Sequence, residues 1–387
     1  MELNIVWCPM SQRVGTVEVE DEIMNFLTAK RKNFFHLGVG SYLKKNKKLK
    51  INNLLSEKFI KFSINNSSLI YGRFSIFIQS IKGLQEILKI YLNKKYSKLV
   101  VYSCLFPTPF LFLKAILKTL KINHKIKIIN FIQGTPSFLR SSNQKKNIYL
   151  NFENILRKKI YSSLYRYSNY IVCSSQRVAD QIGNHVKKDC IKVIPNGVLK
   201  KMPQKQDLSY LLREGIDNQS INLYFIGRLT YQKNITSLVY EFCHLYKNDE
   251  RINLNIIGDG DLYKETYKKY SKNKNIIFHG YLKNPWEILE ESAIVIVPSL
   301  WEEPGHVPLE AFLNNKRFLI SKGCSLSDFI NKNYRSKIVF DINELSSTLK
   351  NIKKKVNPKD WYNNFENLSK DFESFTSKSF KESINEL

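Results

Sequence analysis

Two glutamates eight positions apart are the residues of this sequence whose type and spacing point most directly to chemistry. Glu302 and Glu310 lie on either side of a bend that contains Pro304 and Gly305. Carboxylates accept hydrogen bonds from hydroxyl groups, and the free backbone amides at a helix start can bind an anion. A site that combines these two groups suits a sugar nucleotide, which carries both hydroxyls and a diphosphate.

The flanking elements place both glutamates at one end of a sheet. The continuous apolar run from Ala293 to Val297 predicts a buried strand directly before the motif. Pro308 is typical of the first turn of a helix, which we predict over residues 308–313. Glu302 therefore follows the end of a strand, and Glu310 lies about one turn into the next helix. Ligands of open parallel sheets bind at this end of the strands.

Three further motifs stand upstream in the chain. Residues 225–234 read Phe-Ile-Gly-Arg-Leu-Thr-Tyr-Gln-Lys-Asn, and residues 256–262 read Ile-Ile-Gly-Asp-Gly-Asp-Leu. Residues 194–198 read Ile-Pro-Asn-Gly-Val, which is only a turn signal when taken alone. The order of the four motifs along the chain carries more weight than any single one.

Taken together, the four motifs resemble the signature of retaining glycosyltransferases of family four (group 1). The resemblance implies the α/β fold called GT-B, in which two Rossmann-like domains face a central cleft. It also implies a nucleoside diphosphate sugar as the donor and retention of the anomeric configuration. It covers the C-terminal half of the chain well and the N-terminal half poorly.

The resemblance assigns catalysis to Glu302, Arg228 and Lys233. The two cations would stabilise the charge that grows on the diphosphate as the glycosidic bond breaks. Glu302 would contact the donor sugar, and Glu310 would bind the ribose hydroxyls. Glu303 stands where the family usually has glycine, so either of the adjacent carboxylates could face the sugar; we favour Glu302.

Other residues are predicted to surround the substrates. Glycines would let the backbone approach the donor, aromatic rings would stack on its base, and amides at the helix start would bind its sugar and diphosphate; a core role for Phe278 is equally open. These predicted donor-binding residues are Gly227, Gly258, Gly260, Phe278, Tyr281, Gly305, His306, Val307 and Gly15. On the acceptor or sugar side we expect Gln133 and Gly134, where the family often has a histidine. Glutamine carries no titratable group, which argues against a general base there.

We expect neither a metal nor a cofactor. No metal-binding constellation stands out in the sequence, and its six histidines are scattered. The resembled chemistry uses cations and helix amides in place of a metal, and a UDP-sugar or GDP-sugar as the donor substrate.

Alternating strand and helix patterns in the C-terminal half predict a parallel sheet covered by helices. The predicted strands there are residues 221–226, 252–257, 275–278, 293–297, 317–320 and 337–340. In the N-terminal half we predict strands over residues 4–7, 98–102, 126–131 and 170–173. We predict an N-terminal acceptor-binding Rossmann-like domain over residues 1–200 and a nucleotide-sugar-binding Rossmann-like domain over 201–365. A tail helix over about 366–387 would return to the first domain, as in the resembled fold. The polar segment 199–220 is the predicted connection between the two domains.

The chain of 387 residues has a formal net charge of +27, and the first domain carries most of it. Residues 1–200 hold 34 Lys and Arg against 10 Asp and Glu, whereas residues 201–387 hold 27 against 24. Lysines cluster at 44–50, and basic and aromatic residues share a predicted helix at 151–166. These features predict an anionic acceptor, an anionic membrane surface, or both as partners. The helix could equally pack its apolar stripe on the sheet.

Cysteine usage and hydropathy bear on location. Six scattered cysteines without a Cys-x-x-Cys pair predict reduced thiols in a cytosolic protein. The longest uncharged run, residues 99–113, is shorter than the roughly 20 residues of a membrane span. We therefore expect a cytoplasmic protein that is peripheral on the inner face of the cell membrane.

The function that fits best is transfer of a hexose or N-acetylhexosamine to a lipid-linked or cell-surface glycan, such as lipopolysaccharide, O-antigen or capsule. Two alternatives stay open. A pI near 9.6 permits a nucleic-acid-binding protein, although we expect none because no recognised motif for one is present. A GT-B scaffold without catalysis, which binds glycan or lipid, is the other.

Overall fold

Two parallel β-sheets of six strands each organise the part of the chain that the structure describes. The computed structural model describes residues 2–8, 22, 23, 26, 27, 29, 30, 34–38, 97–103, 111, 113–115, 118, 126–132, 134, 159, 163, 165–184, 186–213, 220–247, 249, 251–303 and 305–387. Both sheets, with helices between their strands, confirm the predicted α/β class.

The first sheet has the strand order β2-β1-β3-β4-β5-β6, and all of its neighbouring strands are parallel. Its strands are β1 (Glu2–Cys8), β2 (Phe34–Gly38), β3 (Lys98–Ser103), β4 (Ile126–Ile132), β5 (Tyr170–Cys173) and β6 (Ile191–Val193). Side chains on both faces are buried, which is typical of parallel sheets. Because β1 lies between β2 and β3, the strand order reverses at β1 and β3.

The second sheet has the order β12-β11-β10-β7-β8-β9 and is also parallel throughout. Its strands are β7 (Ile221–Ile226), β8 (Ile252–Ile257), β9 (Ile276–Gly280), β10 (Ile294–Val297), β11 (Arg317–Ser321) and β12 (Val339–Phe340). All four residues of β10 are buried, as expected for a strand covered on both faces. The strand order reverses between β7 and β10, and this reversal positions the candidate site.

Helices alternate with these strands. The α-helices whose bounds the structure describes are α1 (Gln176–Gly183), α2 (Ile235–Tyr246), α3 (Tyr263–Tyr270), α4 (His306–Leu313), α5 (Lys332–Ile338), α6 (Leu345–Lys350), α7 (Ile352–Lys355), α8 (Pro358–Asp371) and α9 (Ser377–Asn385). Short 3₁₀ helices include Lys205–Leu212, Tyr231–Lys233, Pro285–Ile288 and Ser325–Phe329. Among the helices that the structure describes, none is both long and apolar enough to cross a membrane.

The chain divides into two compact units, Met1–Asn196 with Phe380–Leu387, and Gly197–Ser379. The predicted connection at residues 199–220 therefore needs correction. This segment contains the 3₁₀ helix Lys205–Leu212, whose Leu208, Tyr210 and Leu211 side chains are buried in the core of the second unit. It is therefore part of that unit and not a connection between the two.

The predicted tail over 366–387 also needs correction. Leu368, Phe372 and Phe375 are buried in the core of the second unit, so the chain up to residue 379 belongs there. Phe380 and Ile384 are instead buried in the core of the first unit. The division of the tail thus follows the burial of its aromatic and aliphatic side chains.

Some individual elements differ from the sequence pattern. Residues 337 and 338, predicted to begin a strand, end helix α5, and β12 contains only Val339 and Phe340. Strand β9 continues to Gly280, two residues beyond its predicted end. Strands β2 and β6 were not predicted, and β6 has only three residues, too few for a period-2 pattern to show.

Candidate active site

The loops that follow β7 and β10 form the candidate site of the second unit. These two strands are hydrogen-bonded neighbours and flank the point where the strand order reverses. In open parallel sheets, loops leave such a reversal in opposite directions and open a crevice at the carboxyl ends of the strands. The sequence places Arg228 and Lys233 after β7, and Glu302 after β10.

Lys233 is held by a tight turn. It ends the 3₁₀ helix Tyr231–Lys233, and Asn234 then adopts a left-handed conformation with φ of 53° before α2 begins. Asparagine tolerates this conformation better than most residues do. A Cβ atom at Gly227 would lie 3.8 Å from Cε of Lys233, so the lysine side chain runs alongside Gly227 at the end of β7.

The ammonium of Lys233 forms an ion pair with Glu302. Lys233 Nζ donates to Glu302 Oε1 at 2.5 Å, and the two side chains are only 14% and 10% exposed. Ser299 Oγ donates to the second carboxylate oxygen, Oε2, at 2.7 Å. Both oxygens of Glu302 are therefore occupied by neighbours in the same unit, which is a different environment from the open, sugar-facing one that we predicted.

Glu302 stays ionised despite its burial. Burial alone would raise the pKa of this carboxyl, but the charge of Lys233 and the hydrogen bonds from Lys233 and Ser299 outweigh it. The charge of the nearby His306 acts in the same direction, so the pKa of Glu302 lies below its ordinary value. A carboxylate whose charged form is favoured suits electrostatic positioning rather than proton donation.

Backbone hydrogen bonds fix the Glu302 loop. Glu302 N donates to Gly323 O at 3.0 Å, and Ser325 N donates to Glu302 O at 2.9 Å. On the other side, Leu300 N donates to the backbone oxygen of Gln232 at 2.8 Å. The ion pair is thus built on backbone whose position is already set by the neighbouring loops.

Arg228 differs from Lys233 in its surroundings. It is exposed and forms no ion pair with any residue that the structure describes. Its guanidinium therefore offers its donors to solvent or to a ligand. Of the two predicted phosphate-binding cations, Lys233 is therefore held by a carboxylate, whereas Arg228 is exposed to solvent.

Gly258 and Gly260 bring two loops together. A Cβ at Gly258, whose φ is +139°, would lie 1.9 Å from the carbonyl oxygen of Gly227. A Cβ at Gly260 would lie 2.6 Å from the carbonyl oxygen of Leu229. The absence of a Cβ at these two glycines therefore makes room for the backbone of residues 227–229. We had predicted that it makes room for the nucleotide. Their approach to a nucleotide stays a prediction.

Helix α4 begins at the predicted amides. Gly305 precedes it with φ of +96°, and a Cβ there would lie 2.4 Å from Sγ of Cys324. No side chain caps the first turn, which contains His306 and Val307. Glu310 follows in the second turn and is half-buried. Gly305, His306, Val307 and Glu310 therefore lie within the first two turns of one helix, and their roles toward the donor stay predictions.

The residues predicted at the base have different environments. The ring of Phe278 packs edge-on against Tyr263 and Tyr267 of α3, with centroids 6.2 and 5.3 Å away, as in the core role that we left open. Tyr281, which directly follows β9, is 75% exposed. Between them, His279 Nε2 lies 2.9 Å from Asn255 Oδ1, and burial lowers the pKa of this histidine. Tyr281 is the ring that is open to a ligand.

In the first unit, Gly15 and Gln133 lie outside the described residues, and Gly134 lies just beyond β4. In the second unit, the sequence reasoning missed Ser299 and Gly323. Ser299 stands three residues before Glu302 and close to the end of β10, so its hydroxyl was an available signal. A Cβ at Gly323 would lie 2.4 Å from the carbonyl oxygens of Ser299 and Leu300, a constraint with no local sequence signal.

Comparison with known proteins bears on the family and the fold of this chain. Residues 212–371 match the protein family described as glycosyl transferases group 1. The chain is 27% identical over 210 residues to an uncharacterized glycosyltransferase of Methanocaldococcus jannaschii, covering 51% of this chain and 48% of that protein. It is 26% identical over 220 residues to an uncharacterized 41.2 kDa protein in the cps region of Klebsiella pneumoniae, covering 55% of each. The chain spans about half the length of the curated relatives it matches.

Solved structures share the fold of the whole chain. Anabaena HepE in complex with UDP superposes with a TM-score of 0.65 at 13% identity, covering 100% of this chain and 99% of HepE. The apo form of the lipopolysaccharide outer core galactosyltransferase WaaB has a TM-score of 0.64 at 15% identity, covering 100% and 98%. The family match confirms, for residues 212–371, the resemblance to group 1 glycosyltransferases, and the solved structures show that the fold is GT-B.

Proposed function

We propose that this chain, whose residues 212–371 belong to the glycosyl transferases group 1 and whose fold is GT-B, is a retaining hexosyltransferase. It would move a hexose or N-acetylhexosamine from a nucleoside diphosphate sugar to a lipid-linked or cell-surface glycan. The observation that carries this proposal is the buried ion pair of Lys233 and Glu302 beside the exposed Arg228. The glycosyltransferase names of the family and of a relative support the enzyme class.

The diphosphate of the donor would bind at the two cations. A lysine ammonium has three N–H donors. One of those of Lys233 points to Glu302, which leaves two for phosphate oxygens. The guanidinium of Arg228 adds a planar pair of donors suited to bidentate contact with phosphate. Both cations would interact more strongly with the diphosphate as its charge grows, which accelerates the reaction.

Glu302 would act through Lys233. Since both of its carboxylate oxygens already accept hydrogen bonds, we assign it the role of fixing the lysine rather than touching the donor sugar. This assignment leaves the adjacent Glu303 as the carboxylate for the sugar hydroxyls. Glu310 would bind the ribose hydroxyls, with the α4 amides of His306 and Val307 at the sugar and diphosphate.

The reaction would retain the anomeric configuration without a metal ion. In the resembled family, attack from the front face lets the departing phosphate assist removal of the acceptor proton. The ionised Glu302 is unsuited to a general-acid role, in agreement with that scheme. The protein would then contribute binding, orientation and charge stabilisation.

We propose a UDP-sugar as the donor, with a GDP-sugar as the alternative. HepE binds UDP in its solved complex, which supports the first choice. For the acceptor, the cps region of one relative and the lipopolysaccharide substrate of WaaB support a surface polysaccharide or lipopolysaccharide. The excess of Lys and Arg in residues 1–200 supports an anionic acceptor and peripheral attachment to the inner face of the membrane.

Thermal unfolding with donor candidates tests the proposal. A ligand at about 100 times its dissociation constant stabilises a protein by about 2.7 kcal/mol. We expect UDP-glucose, UDP-galactose, UDP-N-acetylglucosamine or GDP-mannose to raise the melting temperature of the chain. The Arg228→Ala variant should lose the shift, and the Arg213→Ala variant should keep it because Arg213 is an exposed arginine that pairs with Glu291 outside the candidate site.

Two results would contradict the proposal. No shift with any of these nucleotide sugars, together with tight glycan binding, would favour a scaffold without catalysis. Oligonucleotide binding with a steep salt dependence, again without a nucleotide-sugar shift, would favour a nucleic-acid-binding protein.

A further inference from the structure

Two aromatic side chains stand beside the ion pair and have no part in the donor site described above. The rings of Tyr231 and Trp301 lie with centroids 6.0 Å apart and planes at 54°. Tyr231 is 67% exposed, and Trp301 is half-buried. Tyr231 precedes Lys233 by two positions, and Trp301 directly precedes Glu302. The pair is therefore attached to the same two loops as the ion pair.

Gln232 joins the two backbone segments that carry the rings. Its Nε2 atom donates to the carbonyl oxygen of Trp301 at 2.8 Å, and its backbone oxygen accepts from Leu300 N at 2.8 Å. The turn that carries Tyr231 is thereby joined to the segment that carries Trp301 by side chain and backbone. The backbone that carries the two rings is therefore ordered before a ligand arrives, which lowers the entropic cost of binding.

The chemistry of the pair suits a sugar ring. The face of a pyranose presents C–H groups, which gain hydrophobic and dispersion energy against an aromatic face, while its hydroxyls stay at the rim. Tyrosine and tryptophan combine a large apolar surface with a polar end and few rotatable bonds, so they lose little entropy on binding. Neither side chain carries a positive charge that could attract an anion. A neutral saccharide is therefore a better match than a phosphate.

We propose that the Tyr231–Trp301 pair stacks against a pyranose ring of the acceptor glycan. The assignment to the acceptor rests on the proposed glycosyltransferase function. The transferred sugar of the donor is a poorer match because that sugar must be shielded from water to prevent hydrolysis, whereas Tyr231 is open to solvent. An outward-facing ring suits a longer glycan that stays partly hydrated.

Saturation-transfer difference NMR tests the proposal without requiring activity. The probes are maltose, lactose and N,N′-diacetylchitobiose, three neutral disaccharides. We expect magnetic saturation to pass from the protein to the ring protons of at least one of these disaccharides. Tyr231→Ala should weaken that binding by about tenfold, equivalent to about 1.4 kcal/mol, and Tyr231→Phe should preserve it because the ring is kept. Tyr240→Ala is the matched control, since Tyr240 is 58% exposed on α2.

A second measurement separates this proposal from the proposed function. UDP-glucose should raise the melting temperature of Tyr231→Ala as much as that of the wild type. The acceptor site would be overturned, even where UDP-glucose binds, by either of two NMR results. One is no saturation transfer to any of the three disaccharides, and the other is equal saturation transfer in wild type and Tyr231→Ala. Loss of the UDP-glucose shift in Tyr231→Ala would assign the rings to the donor and also overturn it. Failure of the wild type to bind any nucleotide sugar would instead count against the proposed function.

Discussion

Lys233 and Glu302 are 69 positions apart in the chain, yet their charged atoms lie 2.5 Å apart and largely out of contact with water. They meet because β7 and β10 are neighbours in the second sheet although β8 and β9 intervene in sequence. The pair joins the two loops at the reversal of strand order. It therefore contributes both to the stability of the unit and to the geometry of the site.

Removing one member of this pair should destabilise the protein. Lys233→Met leaves a buried carboxylate unpaired, which typically costs about 3–5 kcal/mol. The double variant Lys233→Met with Glu302→Gln should recover most of that loss, because no unpaired charge is left. It should still fail to bind a nucleotide sugar. Urea unfolding measures the first two effects, and thermal shift measures the third.

The exposed pair of Arg213 and Glu291 is the control for the ion-pair prediction. Glu291→Gln should change the free energy of unfolding by less than about 1 kcal/mol, since exposed ion pairs contribute little. If Lys233→Met cost no more than Glu291→Gln, the ion pair would have no structural role.

Arg228→Ala should separate activity from stability. Arg228 is exposed and has no ion-pair partner among the described residues, so the free energy of unfolding should change by less than about 0.5 kcal/mol. Turnover should fall by about tenfold to a hundredfold, the value of one charge-assisted hydrogen bond to the diphosphate. Steady-state kinetics of donor hydrolysis or transfer provides the measurement. Wild-type turnover in this variant would remove Arg228 from the site.

The contribution of Glu302 to stability should depend on pH. Its pKa is lower in the folded protein than its ordinary value of about 4.3, so folding favours the ionised form. The resulting stability is fully present above about pH 5 and is lost as the pH falls through the folded pKa. We expect the gap in unfolding free energy between wild type and Glu302→Gln to be constant from pH 7 to about 5 and to narrow below. A gap that widens in acid would contradict the sign of this shift.

Gly258→Ala should disrupt the loops of the site. The added Cβ would meet the backbone oxygen of Gly227 at 1.9 Å, and alanine is strained at a φ of +139°. Backbone contacts cannot rotate away, so we expect a loss of at least about 2 kcal/mol by urea unfolding and loss of donor binding. Gly183→Ala is the control, because its Cβ would meet only side-chain atoms at 3.8 Å or more. Equal stability of the two variants would show that the loops adjust.

The full chain should bind anionic membranes. Residues 1–200 carry 34 Lys and Arg against 10 Asp and Glu, and each basic residue near an anionic surface contributes about 1 kcal/mol. We expect sedimentation with phosphatidylglycerol vesicles at low salt and release as salt rises. Equal binding to neutral phosphatidylcholine vesicles, or no binding at low salt, would refute an electrostatic attachment.

The sequence by itself determined the second unit well. Strands β7 and β8 were predicted at their observed bounds, because apolar β-branched runs between helical patterns have few other structures available. Spacing also placed Arg228, Lys233 and Glu302 at strand ends. In the first unit, β5 was also predicted at its observed bounds, whereas β2 was not predicted and the three-residue β6 gave no signal.

Tertiary structure alone decided how these residues interact. The spacing of residues in the sequence could not show that the two carboxylate oxygens of Glu302 accept hydrogen bonds from Lys233 and Ser299. The contact with Lys233 depends on which strands become neighbours. Nor could it show that Gly258 contacts the backbone of Gly227, or that the chain returns to the first unit only at Phe380. Local patterns determine whether a segment is strand or helix, whereas long-range packing determines which side chains meet and which stay open to a ligand.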